Sequence, residues 1–299
     1  MTWLPWLGGI VGAVVVIGLG LRFVGANRWA ELIRTHTGQL EWGRMDVQSP
    51  AQGQLRFPAR YDARELEGLP VPVQRYFRAV LTDGQPLIAA ATIESAGKIN
   101  MSATAEQWKP FTSQQRVVTS LNGSCPGFLW NGQGDMFPGV PARVEDSYIA
   151  EQGQLIAKLF GLFTVAKAHG GGELARGEFM RYFAEAVWYP TALLPSQGVR
   201  WQAVDEAAAD ATIVDGPITL TLLFKFNEAG LIVSVRADSR GAGVGKHMVM
   251  LPWDCGLSDY RPQDGMLIPR AGGAAWVRSD GRKAYFLGQV KKLNYEFLP

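Results

Sequence analysis

The spacing of apolar positions changes character along this chain, and each change predicts a different kind of element. Residues 1–21 carry no ionisable side chain, and Ile10 to Leu21 is an almost unbroken run of valine, isoleucine, leucine and glycine. At about 1.5 Å per residue, such a helix reaches roughly 30 Å, the thickness of a bilayer's hydrocarbon core. Trp3 and Trp6 before the run, and Arg22, Phe23, Arg28 and Trp29 after it, have the character of interfacial anchors. A cleavable leader needs a positive start and small residues at its cleavage site. Here the start has no Lys or Arg, and Gly18-Leu19-Gly20 before Arg22 is a poor site. The expectation is a retained transmembrane anchor over residues 1–24. The flanking positives Arg22, Arg28 and Arg34 all follow the span, which favours a cytoplasmic position for the rest of the chain.

Residues 27–34 read as a continuation of that helix, and Gly38 to Arg64, with Ser49-Pro50, Gly53 and Pro58, as a linker. Residues 25–67 thus form a juxtamembrane helix and linker ahead of a single domain at 68–299. Val73, Tyr76, Phe77, Val80 and Leu81 recur at helical spacing and predict an amphipathic helix over 71–81. Pro70 and Pro72 stand at its start, where proline is tolerated, and Asp83-Gly84 closes it. From residue 88 the period falls to two. Strands are predicted at 88–101, 116–121, 127–131, 142–148 and 155–167, divided by Gly, Asn, Pro and Asp clusters. A second helix follows at 173–188, with Phe179, Met180, Phe183, Ala186 and Val187 on its apolar face and Pro190 ending it. Strands resume at 201–204, 209–214, 218–226, 231–238, 248–252, 257–261, 266–275 and 284–295, joined by short loops that suit antiparallel neighbours. The expected fold is α+β: a large curved antiparallel sheet of about ten strands, half-barrel-like, covered by the two amphipathic helices. Their stripes (Tyr76, Phe77 and Val80; Phe179, Met180, Phe183 and Val187) should point at the sheet.

Composition narrows the function classes. Charged residues make up 19% of the chain, against about a quarter in average globular proteins. Twenty-nine basic against 27 acidic residues give a net +2, too balanced for a dedicated nucleic-acid binder. Three histidines and two cysteines, all far apart, argue against a zinc cluster or a disulfide framework, and no metal or cofactor is expected. Spacing does not decide whether Cys125 and Cys255 pair. The segment Gly241 to His247 resembles a Walker A loop but has Arg240 where the first glycine belongs and His247 after the lysine; it reads as a hairpin or loop.

The best polar constellation is Glu178, Arg181 and Glu185 at i, i+3 and i+7, bordered by Tyr182 and opposite the apolar face. Two carboxylates about two turns apart could flank a bond or bind a cation. They could equally be a solvated face with ion pairs through Arg181. Trp130, Phe179, Phe183, Val187, Trp188, Trp201, Leu222 and Phe224 are the candidate ligand-lining residues between helices and strands. Large apolar side chains there either fill a core or line a pocket.

Two resemblances follow from motifs. Trp108-Lys109-Pro110-Phe111-Thr112, Gly127-Phe128-Leu129-Trp130, Leu174 to Glu178 and Trp188 to Pro195 resemble a bacterial domain family of unknown function, over about residues 68–297. Ser258 to Pro269 and Val290 to Asn294 resemble the last strands of lipoprotein-carrier (LolA-like) domains. The second resemblance implies an unclosed antiparallel half-barrel that holds acyl chains. With the anchor, these expectations make a single-pass protein of the bacterial inner membrane, attached through its N-terminal helix. Its first reading is a non-enzymatic module binding a lipid or other apolar ligand. An envelope scaffold holding protein partners through the sheet, and an enzyme using the Glu178/Arg181/Glu185 face, are the alternatives.

Overall fold

The computed structural model describes residues 4–45, 59–102, 105–119, 125–244 and 247–298. Thirteen strands join in one open sheet: β1 (Ile88–Asn100), β2 (Trp108–Val118), β3 (Gly127–Phe137), β4 (Val140–Ile149), β5 (Gln152–Leu159), β6 (Phe163–Gly170), β7 (Arg200–Asp205), β8 (Ala208–Asp215), β9 (Ile218–Phe226), β10 (Ile232–Val244), β11 (His247–Gln263), β12 (Met266–Arg278) and β13 (Gly281–Phe297). Their order is β6-β5-β4-β3-β2-β1-β13-β12-β11-β10-β9-β8-β7. Two meanders, β1–β6 and β7–β13, are therefore joined side by side through the antiparallel β1–β13 pair. The edges of the sheet, β6 and β7, are consecutive in sequence. The chain between them must cross the concave face, and it does so as α3 (Gly172–Ala184) followed by 3₁₀ turns at Glu185–Trp188, Pro190–Leu193 and Pro195–Gln197. Helix α2 (Val71–Val80) covers the same face, and Tyr76, Phe77 and Val80 join α3 and the inner strand residues in one core.

The sheet is bent along a line of paired glycines: Gly97 opposes Gly288, Gly288 opposes Gly272, and Gly273 opposes Gly256. A Cβ at Gly97 would lie 1.9 Å from the Leu287 carbonyl oxygen, so only glycine allows this approach. Curling brings the two halves together at their rim, where Tyr148 Oη donates to Asp215 Oδ2 at 2.6 Å. Strand alternation then sorts the residues by face. Phe128 and Trp130 point into the concave core, while Leu129 lies on the outer face.

The outer face is covered by the third helix of this architecture. Helix α1 spans Leu4–Met45, so the linker expected from Gly38 onward is helical to Met45. Its C-terminal half packs on β2–β4. Leu40 meets Val118 and Leu129, Trp29 Nε1 donates to Asn131 Oδ1 at 2.9 Å, and His36 Nδ1 lies 2.7 Å from the fully buried Glu145 carboxylate. His36 is thus an interface residue rather than a surface one. Among the described residues no helix is long and apolar enough to cross a membrane. That overturns the assignment to a single-pass inner-membrane protein with a cytoplasmic domain. The helix does not stop where its apolar run ends; it continues through Arg28, Glu31, Arg34 and Glu41 and docks on the sheet. The side chains of residues 1–15, on which most of that expectation fell, lie outside the described ones.

Several strand boundaries also differ from expectation: β2 starts at Trp108 rather than 116, and β3 and β10 run on to Phe137 and Val244. Residues 155–167 are a hairpin rather than one strand, because Phe160 and Gly161 both take positive φ, 55° and 72°. Residues 247–263 are one continuous strand, held across Trp253 to Gly256 by ladders to β10 and β12.

Candidate functional site

Helix α3 is buried on nearly every side, since the curled sheet wraps it. Its apolar residues make a filled aromatic core. Phe179 stacks on Tyr148 with ring centroids 5.0 Å apart, and Phe183 meets Phe224 edge-on at 5.7 Å. Trp201 packs on Phe224 at 5.1 Å, and Leu222 is fully buried beside them. Of the eight candidate lining residues, Val187 and Trp188 border a cavity; Trp130 sits one layer behind it, under the Arg181 guanidinium.

That cavity is half-enclosed, about 120 Å³, between the end of α3 with its 3₁₀ turn and strands β11–β13. Its walls are mainly apolar, with Trp188, Leu257 and Phe286 as the large side chains and Gly272, Gly273 and Ala274 leaving the space open. The turn above it is pinned by polar tips of aromatic rings. Trp188 Nε1 donates to the Pro269 carbonyl at 3.0 Å, Tyr295 Oη to the Trp188 carbonyl at 2.6 Å, and Trp201 Nε1 to the Leu193 carbonyl at 3.0 Å. The Trp188 to Pro195 motif is therefore a fastened strap across the concave face.

The Glu178/Arg181/Glu185 stripe faces the sheet and this cavity, not solvent, which excludes the solvated-face reading. Arg181 donates to Glu185 Oε1 at 2.8 Å and to Asp146, reaches Gln115 at 3.4 Å, and lies over the rings of Phe128 and Trp130. Gln115 in turn donates to Glu185 at 2.6 Å. Arg181 stays charged: burial opposes this, but Glu185, Asp146 and Glu178 overcome it. Tyr182 stacks on Phe179 away from the cavity. Glu178 is 7% exposed; its Oε1 lies 3.9 Å from Arg240 and its Oε2 meets no donor. Burial, then the nearby Asp146 carboxylate, push its ionisation well above the usual carboxylate range, against the pull of Arg240 and Arg181.

Arg240, Trp253, Cys255 and Tyr285 complete the wall, and sequence reasoning missed all four as site residues. The reason for Arg240 is a β-bulge. Between Ala237↔Trp253 and Arg240↔Leu251, β10 uses one residue more than β11, so Asp238 and Ser239 are both exposed and Arg240 turns inward. A strict period of two would have aimed it at solvent. Its guanidinium lies over Trp253 at 4.4 Å and near Trp276 at 5.8 Å. The Cys255 thiol is pushed up by burial, the wrong direction for a nucleophile. Cys125 and Cys255 are both free. No cluster of potential metal ligands occurs among the described residues.

Residues 67–295 match the model of a family described as "Family of unknown function (DUF6920)". The chain belongs to this family. The match contains α2, α3, the strap and every wall residue of the cavity, so the site is built from the DUF6920 region itself, while α1 lies outside it. No curated protein matches the sequence. Among solved structures, a LolA superfamily protein from Nitrosomonas europaea is similar at 9% identity, over 76% of this chain and 93% of that one, with a TM-score of 0.35. A porin-like protein from Bacteroides uniformis is similar at 6% identity, over 71% and 98%, with a TM-score of 0.22. Likeness at these scores is weak and carries no functional argument for the DUF6920 chain.

Proposed function

We propose that this DUF6920 protein is a binding module for a small apolar molecule, or for the apolar end of a larger one such as a lipid. The site is the cavity under the Glu185–Trp188 turn, and residues 68–299 are the binding unit. The observation that carries this reading is the cavity's lining: Val187, Trp188, Trp253, Leu257 and Phe286 supply apolar surface, with Gly272, Gly273 and Ala274 leaving room between them. At about 120 Å³ it is smaller than the roughly 300–1,000 Å³ of drug-sized sites and close to the roughly 150 Å³ cavity known to hold benzene. A whole lipid would exceed it; one chain end would not.

The test uses 1-octanol as a probe on the full chain. Octanol should raise the Tm of the native protein, and Ala274→Leu, which fills the cavity from its sheet side, should keep the fold and lose that rise. An unshifted Tm for the native chain at saturating octanol would sink the reading. One observation favours a catalytic alternative: Arg181 and Glu185 border the cavity rather than solvent. Arg181, however, is already engaged by two carboxylates and a glutamine, which leaves it little to offer a substrate.

A further inference from the structure

The two arginines of the cavity differ in one respect. Arg181 has two carboxylates and an amide around it. Arg240, only 8% exposed, has aromatic rings on its face and, among the described residues, no acceptor at ordinary hydrogen-bond distance. Its nearest oxygens are Tyr285 Oη at 3.5 Å and Glu178 Oε1 at 3.9 Å, beyond the roughly 2.7–3.2 Å of a normal N–H···O bond. A lysine so placed could shed its proton; a guanidinium cannot, so its charge persists in a site poor in water. Burying a charge without a partner is costly, and ring faces offset only part of that cost. Tyr285 is in a related position. Its oxygen accepts from Trp253 Nε1 at 2.9 Å, and its own hydroxyl proton meets no acceptor among the described residues. Both groups line the cavity. They present hydrogen-bond donors and one positive charge to the same small space, next to an apolar wall.

We propose that the occupant is a monocarboxylic acid whose carboxylate pairs with Arg240 and Tyr285 while its aliphatic or aryl body lies against Trp188, Leu257 and Phe286. This rests on the reading of the cavity as an apolar binding site. A carboxylate supplies two acceptor oxygens to a forked guanidinium and a phenol, which matches the unmet donors. Charge sets an upper limit on the ligand: Asp146 and Glu185 both pair with Arg181, and with Arg240 these four groups already sum to zero, so a dianion such as a phosphate would be repelled more than a single carboxylate held directly on Arg240. Glu178 is the carboxyl nearest Arg240 among the described residues, ahead of Asp146, and it stays at 3.9 Å without closing the pair. Burial and the Asp146 carboxylate both bias Glu178 toward its neutral form, which weakens its claim on Arg240.

Calorimetric titration of the full chain with octanoate, 1-octanol and acetate tests this. Octanoate should bind at least about tenfold more tightly than octanol, the scale of one charge-assisted pair, and acetate should not bind measurably. Arg240→Gln should bring octanoate down to the affinity of octanol and leave octanol unchanged. Tyr285→Phe keeps the ring and its packing, so it decides the matter if the arginine variant misfolds; it should weaken octanoate about fivefold and not octanol. Equal binding of octanoate and octanol would overturn the carboxylate assignment and leave the apolar cavity standing. Failure of both would overturn the cavity reading itself. Acetate binding as tightly as octanoate would overturn the apolar body.

Discussion

Glu178 has neighbours that pull its ionisation in opposite directions, and burial decides the outcome. Its folded-state value lies well above the ordinary 4.5. The stability tied to its proton is thus fully present below about pH 4.5 and is lost as pH rises toward the folded value, because the unfolded chain ionises first. Glu178→Gln removes this dependence. Its Tm relative to the native protein should climb as pH rises above the ordinary carboxylate range, and a difference that stays constant with pH would show the carboxyl already ionised in the fold. Phe183 makes the contrasting case. It is fully buried on Phe224 and does not touch the cavity. Phe183→Ala should therefore cost the full core penalty, about 3–5 kcal/mol by denaturant titration, with octanol binding unchanged in the folded fraction. A much smaller cost would mean that the side chain lines a space rather than filling one.

Between elements, the contact of α1 with the sheet is chemically separate from the main core. It joins a small apolar cluster, Leu40 with Val118 and Leu129, to two polar links, Trp29–Asn131 and His36–Glu145. Such a contact can open without unfolding the sheet. In Trp29→Ala, hydrogen exchange should quicken along residues 26–42 while β11–β13 keep their protection; equal loosening of both would show that α1 belongs to the core. Helices were legible because their apolar spacing survives in any surroundings: α2 begins and ends within a residue of 71–81. The polar side of α3 was not. The Glu178, Arg181 and Glu185 positions look like a wet face until a sheet with both edges curled around the helix places carboxylates and guanidinium indoors. Arg240 was hidden for a different reason. One inserted residue in β10 reverses which side of the strand faces inward, and no spacing in the sequence announces it.

At the scale of the whole molecule, the contact between Tyr148 and Asp215 links the two meanders across the rim of the curled sheet. Tyr148→Phe should cost about 1–3 kcal/mol in denaturant titration, since it leaves a half-buried carboxyl without its donor. The same variant should raise the ionisation of Asp215 further, measurable by carboxyl-carbon NMR, because the Tyr148 hydrogen bond opposes the shift that burial causes. An unchanged midpoint together with an unchanged Asp215 titration would remove the rim contact as a link between the meanders. By itself, the sequence determined the class of the fold: period-two strands with short loops can only pair with their neighbours, and two amphipathic stripes need one sheet face between them. It also determined a helix at 173–188 that Pro190 ends. Tertiary structure alone decided that the polar side of that helix is buried, which arginine keeps only long contacts and where space remains unfilled. Those depend on strands β1 and β13 meeting across the length of the chain, on a bulge in β10, and on glycines aligned over β1, β13, β12 and β11. Such contacts join residues far apart in sequence, and local periodicity carries no information about them.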